Sequence, residues 1–345
     1  MAQAVASSRT AVPPTLQRWQ AEAAAFAAAS PAPALLAAVR RAGLERLTFV
    51  GWPGKRDEVF RHASVAALLL EAAATPEASG LPLAELPAPL LKEGALRLVL
   101  RNGVPCPELS SPAATLAQAG VAYQTLAAAL AQPSAELQGQ LRGAGAPQPG
   151  GAAGVLPALN EAFLQDGVVL QVAANRLVDA PVELLFIADA AAPQRMHHPR
   201  VVVVGGACSA LTLIEHYHSG DATRPTGTNA LSQLQLARGA RLDHVVVQRQ
   251  GAQARHASHI DAQLQQGAAL RSFALHVGGA TSRQAMRVQL QGPGAEADLG
   301  GLYLCRGAQH HATHLTVEHM QPHGRSTQTF KGILAEHGIG DFCGT

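Results

Sequence analysis

The chain has 345 residues, 48% hydrophobic and 14% charged, with a formal net charge of +2, which leaves no basic stripe for nucleic acid. No stretch reaches the ~18 uninterrupted apolar residues of a membrane span, and the start MAQAVASSRT lacks the charged-then-apolar order of a secretory signal. Four scattered cysteines (Cys106, Cys208, Cys305, Cys343) form no CxxC and no disulfide framework, so the expectation is a soluble protein of the reducing cytoplasm, with no membrane and no nucleic-acid partner.

From Thr15 to Ser30, Leu16, Trp19, Ala23 and Phe26 recur at helical spacing, closed by Pro31 and Pro33. A second helix is predicted from Ala34 to Ala42, stopping at Gly43. Leu47 to Arg61 is turn-rich. The segment ALRLVLRNG, from Ala95 to Gly103, alternates before an Asn-Gly turn and suits a strand. Ala113 to Leu141 shows helical periodicity again. Gly143 to Gly154, GAGAPQPGGAAG, is low-complexity and reads as a flexible connection. The predicted division is therefore a helical and mixed region over 1–150 and a second unit over 151–345.

Beyond the connection helix signals fade and short alternating segments take over, from VVLQVAAN to HLTVEH. A Gly-Ala pair followed by alternation keeps returning: GACSALTLIEHY from Gly206, GARLDHVVVQRQ from Gly239, GAALRSFALHVG from Gly267 and GAEADLGGLYLC from Gly294. A degenerate copy, HGRSTQTFKGIL, starts at His323, and the interval is about 27 to 33 residues. Corners at a nearly fixed offset are what stacked coils require. The predicted fold is mainly β: a right-handed parallel β-helix, or close β-solenoid variant, preceded by a small α-helical region. Val, Leu and Ile are expected inward, and Gln, His, Arg and Thr outward. An antiparallel sandwich is the rival.

Fourteen of the fifteen histidines follow Met196, and His310, His311, His314, His319 and His323 crowd together. With Cys305 nearby, a metal site using Cys305, His314 and His319 is one reading. The competing one is that outward strand positions simply accept histidine, because the cluster contains no HxH or HExxH spacing. There is no GxGxxG, no GxxxxGK[ST] and no GxSxG. Acidic residues along the repeats are sparse and never doubled, which argues against a polysaccharide-cleaving β-helix.

HPRVVVVGGACSALTLIEHY (His198 to Tyr217), TNALSQLQLARGARLDHVVVQ (Thr228 to Gln248), ALNEAFLQDGVVLQV (Ala158 to Val172) and GGLYLCRGAQHHATHLTVEHMQPHGRSTQTFKGIL (Gly300 to Leu334) together resemble SufD, of the SufB/SufD superfamily. The Gly-Leu-Tyr strand, the turn from His319 to His323 and the Lys331-Gly332 pair carry the resemblance. PGKRDEVFR (Pro53 to Arg61) is similar to the family's Pro-Thr-Arg-x-x-Glu-x-Trp-Arg-Tyr signature, with Phe60, His62 and Ala63 as departures. The resemblance implies a β-helical scaffold subunit for iron–sulfur cluster assembly, non-catalytic alone. It implies a SufB-like partner through the β-helix and a SufC-like ATPase through carboxy-terminal helices. An iron–sulfur cluster would be held transiently in the complex, with no cofactor bound tightly by this chain. Ending in GIGDFCGT, the chain is expected to be truncated: the family's Ser-His-Gly segment and docking helices have no counterpart, so none of its functional residues carries over. An exposed last coil and self-association are expected with it. The alternatives are a His-rich metal-binding solenoid and a β-helical carbohydrate-active enzyme.

Overall fold

The computed structural model describes residues 13–54, 57, 60, 64–70, 72–73, 86–91, 95–132, 152–188 and 195–345. From the sixth strand onward, every turn of chain contributes one strand to each of two sheets. The first sheet stacks β4 (Val121–Thr125), β5 (Gly167–Val172), β8 (Arg200–Gly205), β10 (Gly227–Leu236), β12 (Arg255–Leu264), β14 (Thr281–Leu290), β16 (His310–His319) and β18 (Ile339–Gly344) in that order. Two short strands, β1 (Ala72–Ala73) and β7 (Arg195–His197), join beside β10. The second sheet stacks β3 (Val104–Pro105), β2 (Leu96–Arg101), β6 (Val182–Ala188), β9 (Ala210–Ser219), β11 (Arg241–Gln248), β13 (Ala269–His276), β15 (Glu296–Cys305) and β17 (Arg325–Leu334). Pairing is parallel except for β2 with β3 and β4 with β5. A sandwich of hairpins is thereby excluded, and the chain forms a β-solenoid of about six turns.

Alternation explains the interior. Leu211 and Leu213 of β9, Leu242 and Val246 of β11, and Leu270 and Ala274 of β13 face Leu234, Leu236, Ile260, Leu264, Val288 and Leu290 from the other sheet. The corners use left-handed backbone at one superposed position: Asn175, Cys208, Gly239, Gly267, Gly294 and His323 have φ of 60°, 55°, 66°, 63°, 68° and 63°. Glycine adopts that conformation without steric penalty, and the three non-glycine residues occupy it at some cost. The alanine after each corner glycine (Ala240, Ala268, Ala295) is fully buried beneath the bend, which accounts for the Gly-Ala rhythm.

Helix α1 (Pro14–Ala29) buries Leu16, Trp19, Ala23 and Phe26, the stripe its spacing predicts. Helix α2 (Ala34–Val50) passes through Gly43 rather than ending there. A Cβ at Gly43 would stand 2.6 Å from Ala162 N and from Glu161 Cβ, so this glycine is a contact point for another helix and not a stop. The short α3 (Val65–Leu68) docks through Arg255, whose guanidinium donates to the carbonyls of Ala66 and Leu69. The periodic stretch after Ala113 is not one helix. It breaks into α4 (Ala113–Ala119), strand β4 and α5 (Leu126–Ala131), because Gly120 caps α4 at φ 97° and Val121–Thr125 then pairs with β5. Residues 133–141 of that stretch, and 143–151 of the proposed connection, lie outside the described residues.

Past that point a helix appears where the sequence signal fades: α6 (Val155–Ala162), after a 3₁₀ turn at Ala152–Gly154. It lies against the outer face of the first sheet. Arg200 of β8 holds it there, with Nε donating to Asn160 Oδ1 at 2.9 Å and Nη1 to Gln233 Oε1 at 2.9 Å. Asn160 Nδ2 in turn donates to the carbonyls of Pro199 and Asn229. Trp19 and Phe26 pack on Phe163 just beyond the helix.

Candidate functional site

One side of the solenoid interior is polar. At the corner where second-sheet strands end and first-sheet strands begin, the inward residues of successive coils are Tyr217 with Thr228, Gln248 with His256, His276 with Ser282, and Tyr303 with His311. Their rings form a continuous column. Tyr217 stacks on Phe186 at 4.5 Å between centroids and meets His256 at 4.6 Å; His256 to His276 is 6.2 Å, His276 to His311 4.2 Å, and His311 to Tyr303 4.9 Å. The expectation that histidine faces outward is therefore corrected for His244, His256, His276 and His311, all buried and inward.

Each imidazole is anchored by one nitrogen. Gln250 donates through Nε2 to Thr228 Oγ1, so its Oε1 accepts Nδ1–H of His256 at 2.9 Å. His276 Nδ1 meets Ser282 Oγ at 3.1 Å and His311 Nε2 meets Thr313 Oγ1 at 2.8 Å. The other nitrogens, His256 Nε2, His276 Nε2 and His311 Nδ1, are buried without a hydrogen-bond partner among the described residues. Burial disfavours the imidazolium, so His276 is lowered to about 4 despite help from Gln284, and His256 and His311 fall well below the ordinary range. At neutral pH the column is uncharged.

Beside it runs a second chain. Tyr217 Oη donates to Glu215 Oε2 at 2.6 Å, His244 Nε2 lies 3.2 Å from Glu215 Oε1, and His244 Nδ1 lies 3.0 Å from Ser272 Oγ. Burial alone would raise the Glu215 carboxyl, but bonds from His244, Tyr217 and Ser232 hold it below its usual value. Hydroxyl, imidazole and carboxylate in series resemble a nucleophile–base relay. All three are buried, at 6%, 1% and 1% exposure, so no substrate reaches them and the chain acts as a core hydrogen-bond network.

The candidate metal residues fall on different surfaces. Cys305 ends β15 with its side chain inward, and burial pushes its thiol up. His314 has outward parity in β16, in register with Cys343. His319 is exposed at the far end of β16, 3.0 Å from Ser326 Oγ. His310 pairs instead with Asp341 at 2.5 Å. Among the described residues no group of three or more His, Cys, Asp or Glu side chains is disposed to hold a metal ion. One pair escaped the sequence reading: His216 and His218, an HxH on β9, face outward beside Glu183.

The quoted Gly-Leu-Tyr and Lys-Gly elements meet in space. Tyr303 is the register partner of Gly332, and a Cβ at Gly332 or at Gly340 would stand 2.3 Å from the Tyr303 ring. Two glycines in the last coil thus make room for the column's last ring.

Residues 186–345 match the family described as SUF system FeS cluster assembly, SufBD core domain. A SufBD-family iron–sulfur cluster assembly protein of Synechocystis sp. is 27% identical over 259 residues, covering 72% of this chain and 55% of the relative. A second SufBD-family protein, from Mycobacterium leprae, is 37% identical over 79 residues, 23% of this chain and 20% of its own length. The chain spans about half the length of the first relative and a fifth of the second.

Proposed function

We propose that this chain, whose SufBD core domain supports a place in the SufB/SufD superfamily and a role in iron–sulfur cluster assembly, is a SufD-type scaffold subunit of a SufB–SufC–SufD complex. It acts in the cytoplasm, is non-catalytic alone, and handles the cluster as transient cargo of the assembly. The observation that carries this reading is an overlap: the matched span, residues 186–345, opens inside β6 and takes in the solenoid coils from β8 to β18. The contact of Tyr303 with Gly332 adds to it, because two elements that suggested the family in sequence are one packing unit. A polar interior that is filled and sealed suits a rigid platform better than a hydrolase cleft.

A tagged copy of the chain, co-expressed with the SufB-type and SufC-type subunits of its own genome, tests this reading. A stable complex with the SufB-type subunit is expected. Elution of the chain free of both subunits would overturn the assignment.

A further inference from the structure

We propose that Arg97, His218 and Arg249 form an oxyanion-binding site on the outer face of the second sheet, built to take a carboxylate or phosphate group. This site lies on the opposite side of the sheet from the imidazole column and stands independently of the scaffold reading.

Outward positions of adjacent strands bring the groups together. Arg97 of β2 is the register partner of Glu183 on β6. Glu183 Oε1 accepts from His216 Nδ1 at 2.9 Å, and His216 Nε2 accepts from Arg249 Nε at 2.8 Å. These two bonds fix His216 in one neutral tautomer and hold the Arg249 guanidinium over the site. Arg249 is exposed, and its terminal amino groups make no hydrogen bond to the described residues.

Donors are left over. Arg97 Nε and His218 Nδ1 are buried and have no hydrogen-bond partner among the described residues; one acceptor, Glu183 Oε2, is in the same state. Arg97 reaches Glu183 only at 3.5 Å. Facing this patch are two guanidinia and one carboxylate, with Arg101 in the same cross-strand row as His218 through Ile187. Positive charge is in excess. The same excess acts on His218, which burial first, then His216, Arg249 and Arg97, lower to about 4.

The HxH pair invites a metal reading, and its rings stand 6.0 Å apart at 63°. Both nitrogens of His216 are already engaged, however, and two guanidinia repel a cation where they attract an anion. Planar arginine donors match carboxylate and phosphate oxygens.

The test uses the full chain carrying ¹³Cε1-labelled histidine, titrated with phosphate and separately with acetate at constant ionic strength set by chloride. The His218 resonance should move saturably with at least one of the two, and its pKa should rise by about one unit because an anion favours the imidazolium. Response to acetate alone points to an acidic side chain as the natural ligand, and response to phosphate alone to a phosphorylated one. Arg249→Gln should weaken binding about tenfold, with a far-ultraviolet circular-dichroism spectrum matching the parent's as the check that the fold is kept. Arg241→Gln, on the same face, should leave binding unchanged. No saturable shift with either anion, an Arg249→Gln protein that binds like the parent, or saturation by zinc in place of the anions would each overturn the proposal.

Discussion

His276 gives the sharpest handle on the buried column. Its folded pKa of about 4 lies below the ordinary histidine value of about 6.5. A group depressed on folding keeps the protein stable while both states are neutral. That stability is lost as pH falls through about 6.5, because the unfolded chain takes up the proton first, and the loss levels off below about 4. Between pH 7.5 and 5 the single site removes about 2 kcal/mol, out of about 3 in all. His276→Gln keeps a hydrogen-bonding side chain and cannot titrate. Equilibrium urea unfolding of parent and variant at both pH values isolates the difference. The variant should lose about 2 kcal/mol less than the parent over this interval, whatever its stability at pH 7.5. The comparison between proteins matters because Asp261, raised to about 6 mainly by burial, works the other way and adds about 1 kcal/mol of stability on acidification. Equal pH dependence in the two proteins would show that His276 is not held neutral in the core, and the reasoning about the column would fail.

Corner chemistry separates backbone strain from steric exclusion. At Gly267 a Cβ meets nothing within 4 Å, so Gly267→Ala should cost only the left-handed backbone penalty, about 1 kcal/mol in urea unfolding. At Gly292 a Cβ would stand 2.0 Å from the backbone nitrogen of Gln266, so Gly292→Ala should cost several times more. Cys208→Gly removes a non-glycine residue from φ 55° and should raise the unfolding midpoint slightly. Tyr217→Phe removes the donor to Glu215 Oε2 inside the core and should destabilise by about 1–3 kcal/mol by the same assay. Arg200→Ala breaks the bonds to Asn160 and Gln233, and limited proteolysis should then cleave within α6 well before the solenoid coils.

The coil architecture was legible because apolar residues alternate over the second half of each first-sheet strand and the first half of each second-sheet strand, and the corners share one left-handed position. The first halves of β10, β12, β14 and β16 were not legible. There the inward residues are Thr228, His256, Ser258, Ser282, Gln284, His311 and Thr313, with Ala230 as the one apolar member, so no hydrophobic alternation marks them. The polar seam hid itself, since a buried histidine and an exposed one look alike until the register is known. Helix α6 escaped for a different reason: it is only eight residues long and carries Pro157 in its first turn, so its apolar spacing runs for barely two turns. Gly43 reads locally as a stop, and only its contact with α6 shows otherwise. The outer Arg97–Glu183–His216–Arg249 chain draws its members from four parts of the sequence, beyond the reach of any local motif.

Rungs β10, β12, β14 and β16 pair residue for residue over their whole length, with no bulge between them. A stack of that kind cannot absorb an extra residue within a strand, because one added residue turns every following side chain to the wrong face. Spare length has to collect elsewhere. The bends leading from the second sheet to the first span residues 220–226, 249–254 and 277–280 in successive coils, shrinking along the stack, while those of the opposite corner hold nearly constant at 206–209, 237–240 and 265–268. The first edge is therefore the side on which this protein tolerates grafts and inserted peptides, and the other is a hinge line whose spacing the fold enforces.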